Sequence, residues 1–491
     1  MLVATVGVLG LAAGPAQAST AKCNVAITAS DGTVLRANLW LPDGDGPFPT
    51  VLTVSGYNKD ATNPTGQACS GSGGLATADT SLADKGYAVM LVDERGTGAS
   101  QGNWDSWGRR TQRDYRDILD WIQARKWSNG SVATTGGSYM GITSLLVAEA
   151  DAVRVRQGKP RAVKAVWADI PMSDAYRDVT FHGGAVDAGF IPLWLGLTTS
   201  LSDLPPSTLL GDPGALTTYA EHLRNGYDFA ARKIVNTSLG AEDAYDGPFF
   251  RLRSPGDRAA QIRVPVVIQG GWWDIFQRGE PLLYEQLTHS PHKKLIMSPH
   301  YHVSDGPAHE DPDLKQKWFE RWLMGKANGA AHAPAVSFFP INGTEWQHPA
   351  DWPVPGVRYR RYYLGDGGGL APKRPAQAAG DSMTMLPASS PCSRLTTQWT
   401  AGAAAGPCES DNNSFEATGL TYTTDPVDRD TQLTGPIVAD IRAAMTTTDA
   451  TLIGVVSDVA PDGTSSQLSA GFLLASQRRL DRSRSTFAGK V

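Results

Sequence analysis

Three residues far apart in the chain have the types and settings that acyl transfer needs. The first is Ser138, in Thr135-Gly136-Gly137-Ser138-Tyr139-Met140-Gly141. The apolar run before it, Val132 to Thr135, reads as a strand, and Tyr139 to Ala150 reads as a helix. A serine in so sharp a strand-to-helix turn stands exposed at the strand's C-terminal edge. Glycines serve there because the turn leaves no room for β-carbons. The helix that follows aims its N-terminus at the site, so the backbone N–H of Tyr139 would face a developing oxyanion. The pattern is Gly-Gly-Ser-Tyr-Met-Gly, not a strict Gly-x-Ser-x-Gly, and a glycine-rich turn with an inert serine would look the same.

A hydroxyl is a weak nucleophile until a base takes its proton, and that base needs an acid to orient it. Asp274 closes Gly270-Gly271-Trp272-Trp273-Asp274, after a strand read at Val264 to Gln269. His302 closes Ser298-Pro299-His300-Tyr301-His302, after a strand read at Lys294 to Ser298. Both follow strand ends, where the sites of α/β sheets gather. Alone, Asp274 reads as a turn carboxylate and His302 as a loop histidine. In the order Ser, Asp, His they predict Ser138 as nucleophile, His302 as base and Asp274 as its orienting acid. Trp272 and Trp273 are candidates to line the substrate pocket, with core packing the equal alternative.

The elements that must carry these residues alternate. Strands are predicted as a pair around Asp31-Gly32, then at Pro49 to Ser55, Tyr87 to Val92 and Val163 to Asp169. Helices are predicted at Ala76 to Lys85, at Asp114 to Arg125 with Tyr115, Ile118, Leu119 and Ile122 on one face, at Pro281 to Thr288 and at Asp313 to Met324. This predicts an α/β fold with a mostly parallel sheet. Residues 172–258 lose strand alternation and read as a helical insertion. The core is therefore expected over 19–171 and 259–330. After an Ala/Gly-rich linker at 326–335, strands are expected at Tyr359 to Leu364, Ala417 to Thr423, Ile437 to Ala443 and Leu452 to Val459. They make 336–491 a β-sandwich or jelly roll.

With 491 residues and a net charge of -5, the chain has no basic stripe for nucleic acid or an anionic membrane. Leu2 to Ala13 is apolar and Ala16-Gln17-Ala18 fits a cleavage site, so residues 1–18 read as a leader peptide of an exported protein, cut after Ala18. No other stretch is long and apolar enough to span a membrane. The four cysteines, Cys23, Cys69, Cys392 and Cys408, suit disulfides in an exported chain, with free thiols the alternative. No Cys or His spacing suggests zinc, and the chemistry calls for no cofactor.

The chain also resembles the cocaine-esterase-like and X-prolyl dipeptidyl-peptidase hydrolases. The resemblance rests on Asp93-Glu94-Arg95-Gly96-Thr97-Gly98-Ala99-Ser100, Trp127-Ser128-Asn129-Gly130, Gly137-Ser138-Tyr139-Met140-Gly141, Gly271-Trp272-Trp273-Asp274, and Asp458-Val459 with Pro461-Asp462-Gly463. It implies an α/β-hydrolase core, an inserted helical cap and a C-terminal jelly roll, here expected to be cut short at Val491. It also implies a second oxyanion donor, the hydroxyl of Tyr57 in Gly56-Tyr57-Asn58. Two departures stand out. His300 occupies a position usually held by tryptophan and is a rival base. Phe276 and Gln277 replace the acids that related amino-acid ester hydrolases carry after the triad aspartate. Asp174, Asp178 or Asp187 would be the substitutes for binding an ammonium.

The expected activity is hydrolysis of a small ester or amide, or of short peptides, through an acyl-enzyme. The alternative is release of X-Pro dipeptides. A binding protein on an inactive hydrolase scaffold is a third reading, against which the intact Ser, Asp and His argue.

Overall fold

The computed structural model describes residues 20–63, 69, 71–238, 244–376, 380–384, 393–404 and 409–479. The predicted leader, Cys392 and Cys408 lie outside them. Nine strands form the central sheet: β1 (Thr20–Thr28), β2 (Val34–Leu41), β3 (Phe48–Ser55), β4 (Ala88–Asp93), β5 (Ser128–Gly137), β6 (Val163–Asp169), β7 (Val266–Gly271), β8 (Lys293–Ser298) and β9 (Val336–Phe338). Their spatial order is β1-β2-β4-β3-β5-β6-β7-β8-β9. The β1/β2 and β2/β4 pairings are antiparallel and the rest are parallel.

β4 shows why the apolar runs become strands. All six of its residues are buried. Ala88, Met90 and Val92 enter one apolar cluster, while Val89 and Leu91 enter another on the opposite face. A sheet covered on both faces selects continuous apolar runs. One face is covered by helices α1 (Arg109–Gln123) and α2 (Tyr139–Arg156), which bury Tyr115, Ile118, Leu119 and Ile122 as their spacing predicted. The other is covered in part by Trp318 and Phe319 from a helix at Leu314–Met324. That helix stops where Gly325 takes a left-handed conformation.

Between β6 and β7 the described residues include the α-helices α3 (Ile191–Ser202), α4 (Ala215–Gly226), α5 (Arg232–Ser238) and α6 (Pro248–Arg253). After β7 comes α7 (Gly279–Gln286), and the helix at Leu314–Met324 is α8. No helix among the described residues is long and apolar enough to cross a membrane. Cys23 and Cys69 form a disulfide with Cα atoms 5.2 Å apart.

The C-terminal region departs from expectation. Its described residues hold a short helix α9 (Arg394–Trp399), a long hairpin of β10 (Thr451–Val459) with β11 (Ser465–Leu474), and a much shorter pair, Tyr363–Gly365 with Gly369–Ala371. Of the other expected strands, the first shrinks to Tyr363–Gly365 and the second keeps a single bridge at Thr423. Residues 437–443 pair with nothing among the described residues. The described residues therefore do not close into a jelly roll. Alternation alone does not make a strand when no second layer covers the apolar side: Val438 is 75% exposed and Ile437 53%.

Candidate active site

The turn between β5 and α2 places Ser138 at φ 56°, ψ −122°. A residue with a β-carbon pays on the order of 1–3 kcal/mol for such a conformation, which persists only where its surroundings enforce it. The Ser138 N–H donates to the Asp169 carbonyl at 3.0 Å. A β-carbon on Gly136 would fall 2.2 Å from Met140 Cβ, and one on Gly141 would fall 2.4 Å from the Asp169 carbonyl oxygen. The two glycines let α2 close down on β5 and the end of β6.

Adjacent parallel strands β7 and β8 deliver Asp274 and His302 to the same edge. His302 Nε2 lies 2.7 Å from Ser138 Oγ, and His302 Nδ1 lies 2.7 Å from Asp274 Oδ2. A ring with its hydrogen on Nδ1 donates to Asp274 and accepts from Ser138. Asp274 is fully buried, and its other oxygen accepts the Phe276 N–H at 2.6 Å. Phe276 also sets its ring edge-on to His302, 5.1 Å between centroids. Behind Asp274, burial and then the Asp274 charge push the carboxyl of Glu280 well above its usual range.

Tyr57 follows β3. Its hydroxyl accepts from Trp194 Nε1 at 2.9 Å and has Ser138 as a hydrogen-bonding neighbour. Burial pushes its pKa up to about 12, so it keeps a proton to donate at neutral pH. The loop after it is fixed by Lys59, fully buried and paired with Asp60 and, at 3.2 Å, with Asp93. Tyr139 is the first residue of α2, so its N–H has no partner within the helix. Its side chain turns inward. The Tyr139 hydroxyl donates to Glu94, accepts from Trp104 Nε1 at 3.2 Å, and its ring stacks on Trp107 at 4.2 Å. Tyr115 donates to the other oxygen of Glu94, and burial raises this carboxyl to about 7.

His300 is not beside Ser138. It is buried, with its ring nitrogens 3.0 Å from the Gly270 carbonyl and 2.9 Å from the Tyr301 carbonyl. The two tryptophans also differ from the pocket reading. Trp272 donates to the Phe339 carbonyl at 2.8 Å and packs on Phe338 and Trp352. Trp273 lies under the Arg394 guanidinium, 3.8 Å from its ring centroid. The recess at Ser138, about 240 Å³ with its opening, is lined instead by Tyr57, Trp107, Val179, Phe190, Trp194 and Phe276, together with Tyr139 and Ile142. An aromatic next to a catalytic-looking aspartate says nothing of the direction in which its ring leaves the backbone.

No carboxylate is among the described residues lining this recess. Asp178 is held by Arg278 at 2.6 Å and by the N–H groups of Ser173 and Asp174. Asp187 pairs with His182 and caps Phe190, and Asp174 pairs with Arg177. Several groups close to the site escape sequence reasoning because they converge from distant segments: Trp107, Trp194, the proton-sharing Glu94, and Gln398 of α9. The Gln398 amide donates to the Asp274 carbonyl at 3.2 Å. Only Glu94 carried a signal, as an acid just beyond a strand that is apolar up to Asp93.

Comparison with known proteins gives two family matches. Residues 31–304 match the model of the X-Pro dipeptidyl-peptidase (S15 family), and residues 328–488 match the X-Pro dipeptidyl-peptidase C-terminal non-catalytic domain. The chain is 24% identical to cocaine esterase from Rhodococcus sp. (strain MB1 Bresler), over 92% of this chain and 82% of that one. Among solved structures, an aminopeptidase from the marine sediment archaeon Thaumarchaeota archaeon superposes with a TM-score of 0.68 at 20% identity, covering 94% of this chain and 82% of the other. An α-amino acid ester hydrolase gives 0.67 at 19% identity, covering 94% and 83%. At these identities the structural matches speak for the fold.

Proposed function

The chain belongs to the X-Pro dipeptidyl-peptidase (S15) family of hydrolases, and from that premise we propose that it is an exported serine hydrolase cleaving carboxylic esters with apolar acyl groups. His302 takes the Ser138 proton while Asp274 holds the imidazole and stabilises its charged form. Ser138 Oγ adds to the ester carbonyl. The Tyr139 N–H and the Tyr57 hydroxyl receive the oxyanion. His302 then protonates the departing alkoxide, and the acyl group stays on Ser138. Water, deprotonated by His302, repeats the addition and releases the acid.

The observation that carries this reading is the unbroken line from Asp274 through His302 to Ser138, with 2.7 Å at each step. The family's description favours a second reading, release of X-Pro dipeptides. That substrate brings an N-terminal ammonium, whose burial needs a carboxylate partner. The apolar lining of the recess favours the ester. Export is supported by the leader-like sequence and by the Cys23–Cys69 bridge, which suits an oxidising compartment.

The test is a paired assay on p-nitrophenyl butyrate and Ala-Pro-p-nitroanilide, with Ser138→Ala beside the wild type. Turnover of the ester alone supports the proposal. Turnover of the anilide alone replaces it with the peptidase reading, and equal activity of Ser138→Ala removes the nucleophile assignment.

A further inference from the structure

We infer that a second cavity behind the recess receives the distal part of a long, unbranched acyl chain whose carbonyl carbon sits at Ser138, and that Val179 is the threshold between the two spaces. The inference rests on the hydrolase reading above. The second cavity, about 520 Å³ with its opening, is lined by Met172, Ala175, Leu195, Phe229, Phe249 and Phe250, among others. Trp107, Val179 and Trp194 line both it and the recess, so the two spaces lie back to back with these side chains between them. The tryptophan rings face each other, with centroids 5.9 Å apart. That spacing leaves no room for a chain between them. Val179 is the smallest of the three, and it is there that a chain can pass from one space to the other.

The chemistry of the cavity selects its occupant. Its two cationic side chains are laid against Phe249, with Lys233 Nζ 4.0 Å and Arg253 Cζ 3.7 Å from the ring centroid. Arg253 is held further by Asp105 at 2.8 Å. The rest of its described lining is mainly aromatic and aliphatic, with the hydroxyls of Ser106, Thr180 and Thr237 and no carboxylate among the described residues; such surface gains by covering an alkyl chain. The wall is also built under strain. Ser106 and Trp107 both have left-handed backbone, φ 35° and 56°. Arg253, from α6, enforces it by donating to the Ser106 carbonyl and the Asp105 carbonyl at 2.9 Å each. Strain of this kind gathers where a side chain must be held in one place. Here it sets the Trp107 indole against Tyr139 and Trp194, as the fixed side of the passage.

The test measures how fast two reagents label Ser138 in the full chain, by intact mass. They are the ethyl esters of ethyl- and decyl-phosphonofluoridate, from which Ser138 Oγ displaces fluoride. The wild type should react at least tenfold faster with the decyl reagent. Ala175→Phe, which fills the cavity, should cut that preference at least fivefold, and Val179→Ala, which widens the threshold, should keep or raise it. Thr237→Leu fills the cavity from α5 and serves if Ala175→Phe does not fold. Equal rates in the wild type overturn the inference. So does a decyl preference that survives a folded, filled variant. Labelling with the expected preference but without turnover of any ester leaves the cavity assigned and overturns the ester reading. Failure of both reagents to label Ser138 overturns both.

Discussion

The strand Ala88–Asp93 is apolar on both faces up to its last residue, whereas the segment 437–443, of similar length, alternates and carries Asp440 and Arg442 on one side, and the two end in opposite surroundings. In the first, Met90, Leu91 and Val92 are completely buried, because helices cover both faces of the sheet. In the second, Ile437, Val438 and Ile441 are each about half exposed or more. The difference lies in what the rest of the chain brings to cover them. Ser138, Asp274 and His302 all hang from the well-covered strands, at the ends of β5, β7 and β8. Rigid strands hold a hydrogen-bonded line to within tenths of an ångström, as a proton relay requires. Among the described residues the C-terminal region reaches that line through Gln398 and its partner Gln467. There it too is buried.

The largest expected effects fall on the covered half. Ser138→Ala should lower kcat/KM for p-nitrophenyl butyrate by about 10⁴-fold or more, and Asp274→Asn by about 10⁴-fold through the wrong imidazole tautomer. Both should leave the thermal unfolding profile in place. A loss below tenfold in either would detach the hydrogen-bonded line from the chemistry. Tyr57→Phe comes next. Removing one oxyanion donor should lower kcat by about 10²–10³-fold with little change in KM. An equal rise in KM would mean that Tyr57 packs against substrate and does not donate to the oxyanion.

How much of this was legible depended on how local each signal is. The turn at Ser138 was readable because strand, Gly-Gly-Ser and helix are contiguous and each part constrains the next. Asp274 and His302 were readable from their places after apolar runs. Tyr57 was not readable from its residues, since a loop tyrosine looks the same whether it packs or donates, and it entered through family resemblance. For Trp272 and Trp273 the sequence leaves pocket lining and core packing equally open, because it does not encode the direction of a side chain after a turn, and the structure packs both away from the recess. Trp107, Trp194 and Gln398 converge from three distant segments and leave no local trace. Of the C-terminal strands, Leu452 to Val459 was legible and 437–443 was not: a period of two reports which side of a segment is apolar, and it is silent on whether a second layer covers that side.

Glu94 tests the covered half from within. Burial raises its carboxyl from an ordinary 4.5 to about 7. The folded chain therefore holds this proton more tightly than the unfolded chain. Its contribution to stability is full below about pH 4.5 and is lost as pH rises through about 7. At about 1.4 kcal/mol for each tenfold change in proton affinity, the loss is bounded at about 3 kcal/mol. Glu94→Gln keeps a neutral group of the same size between Tyr115 and Tyr139. Compared with this variant in urea unfolding, the wild type should lose ground steadily from pH 5 to pH 8. A constant difference over that range would mean that Glu94 is already ionised in the folded protein.

The sharpest form of the comparison is a pair of truncations, one in each segment. Leu91→Ala removes a buried side chain from the cluster that contains Trp318, and it should cost about 2–5 kcal/mol in chemical unfolding. Val438→Ser removes an apolar side chain that is 75% exposed, and it should change stability by no more than about 0.5 kcal/mol. It should also leave kcat/KM unchanged, because nothing links residues 437–443 to the line through Gln398 among the described contacts. A cost for Val438→Ser near that of Leu91→Ala would break the comparison, since a side chain can lose that much only if something covers it in solution. Sedimentation of the wild type over a range of concentrations would then identify the cover. A dimer that the substitution dissociates would place a second copy against this segment, and a monomer throughout would place the cover within the same chain.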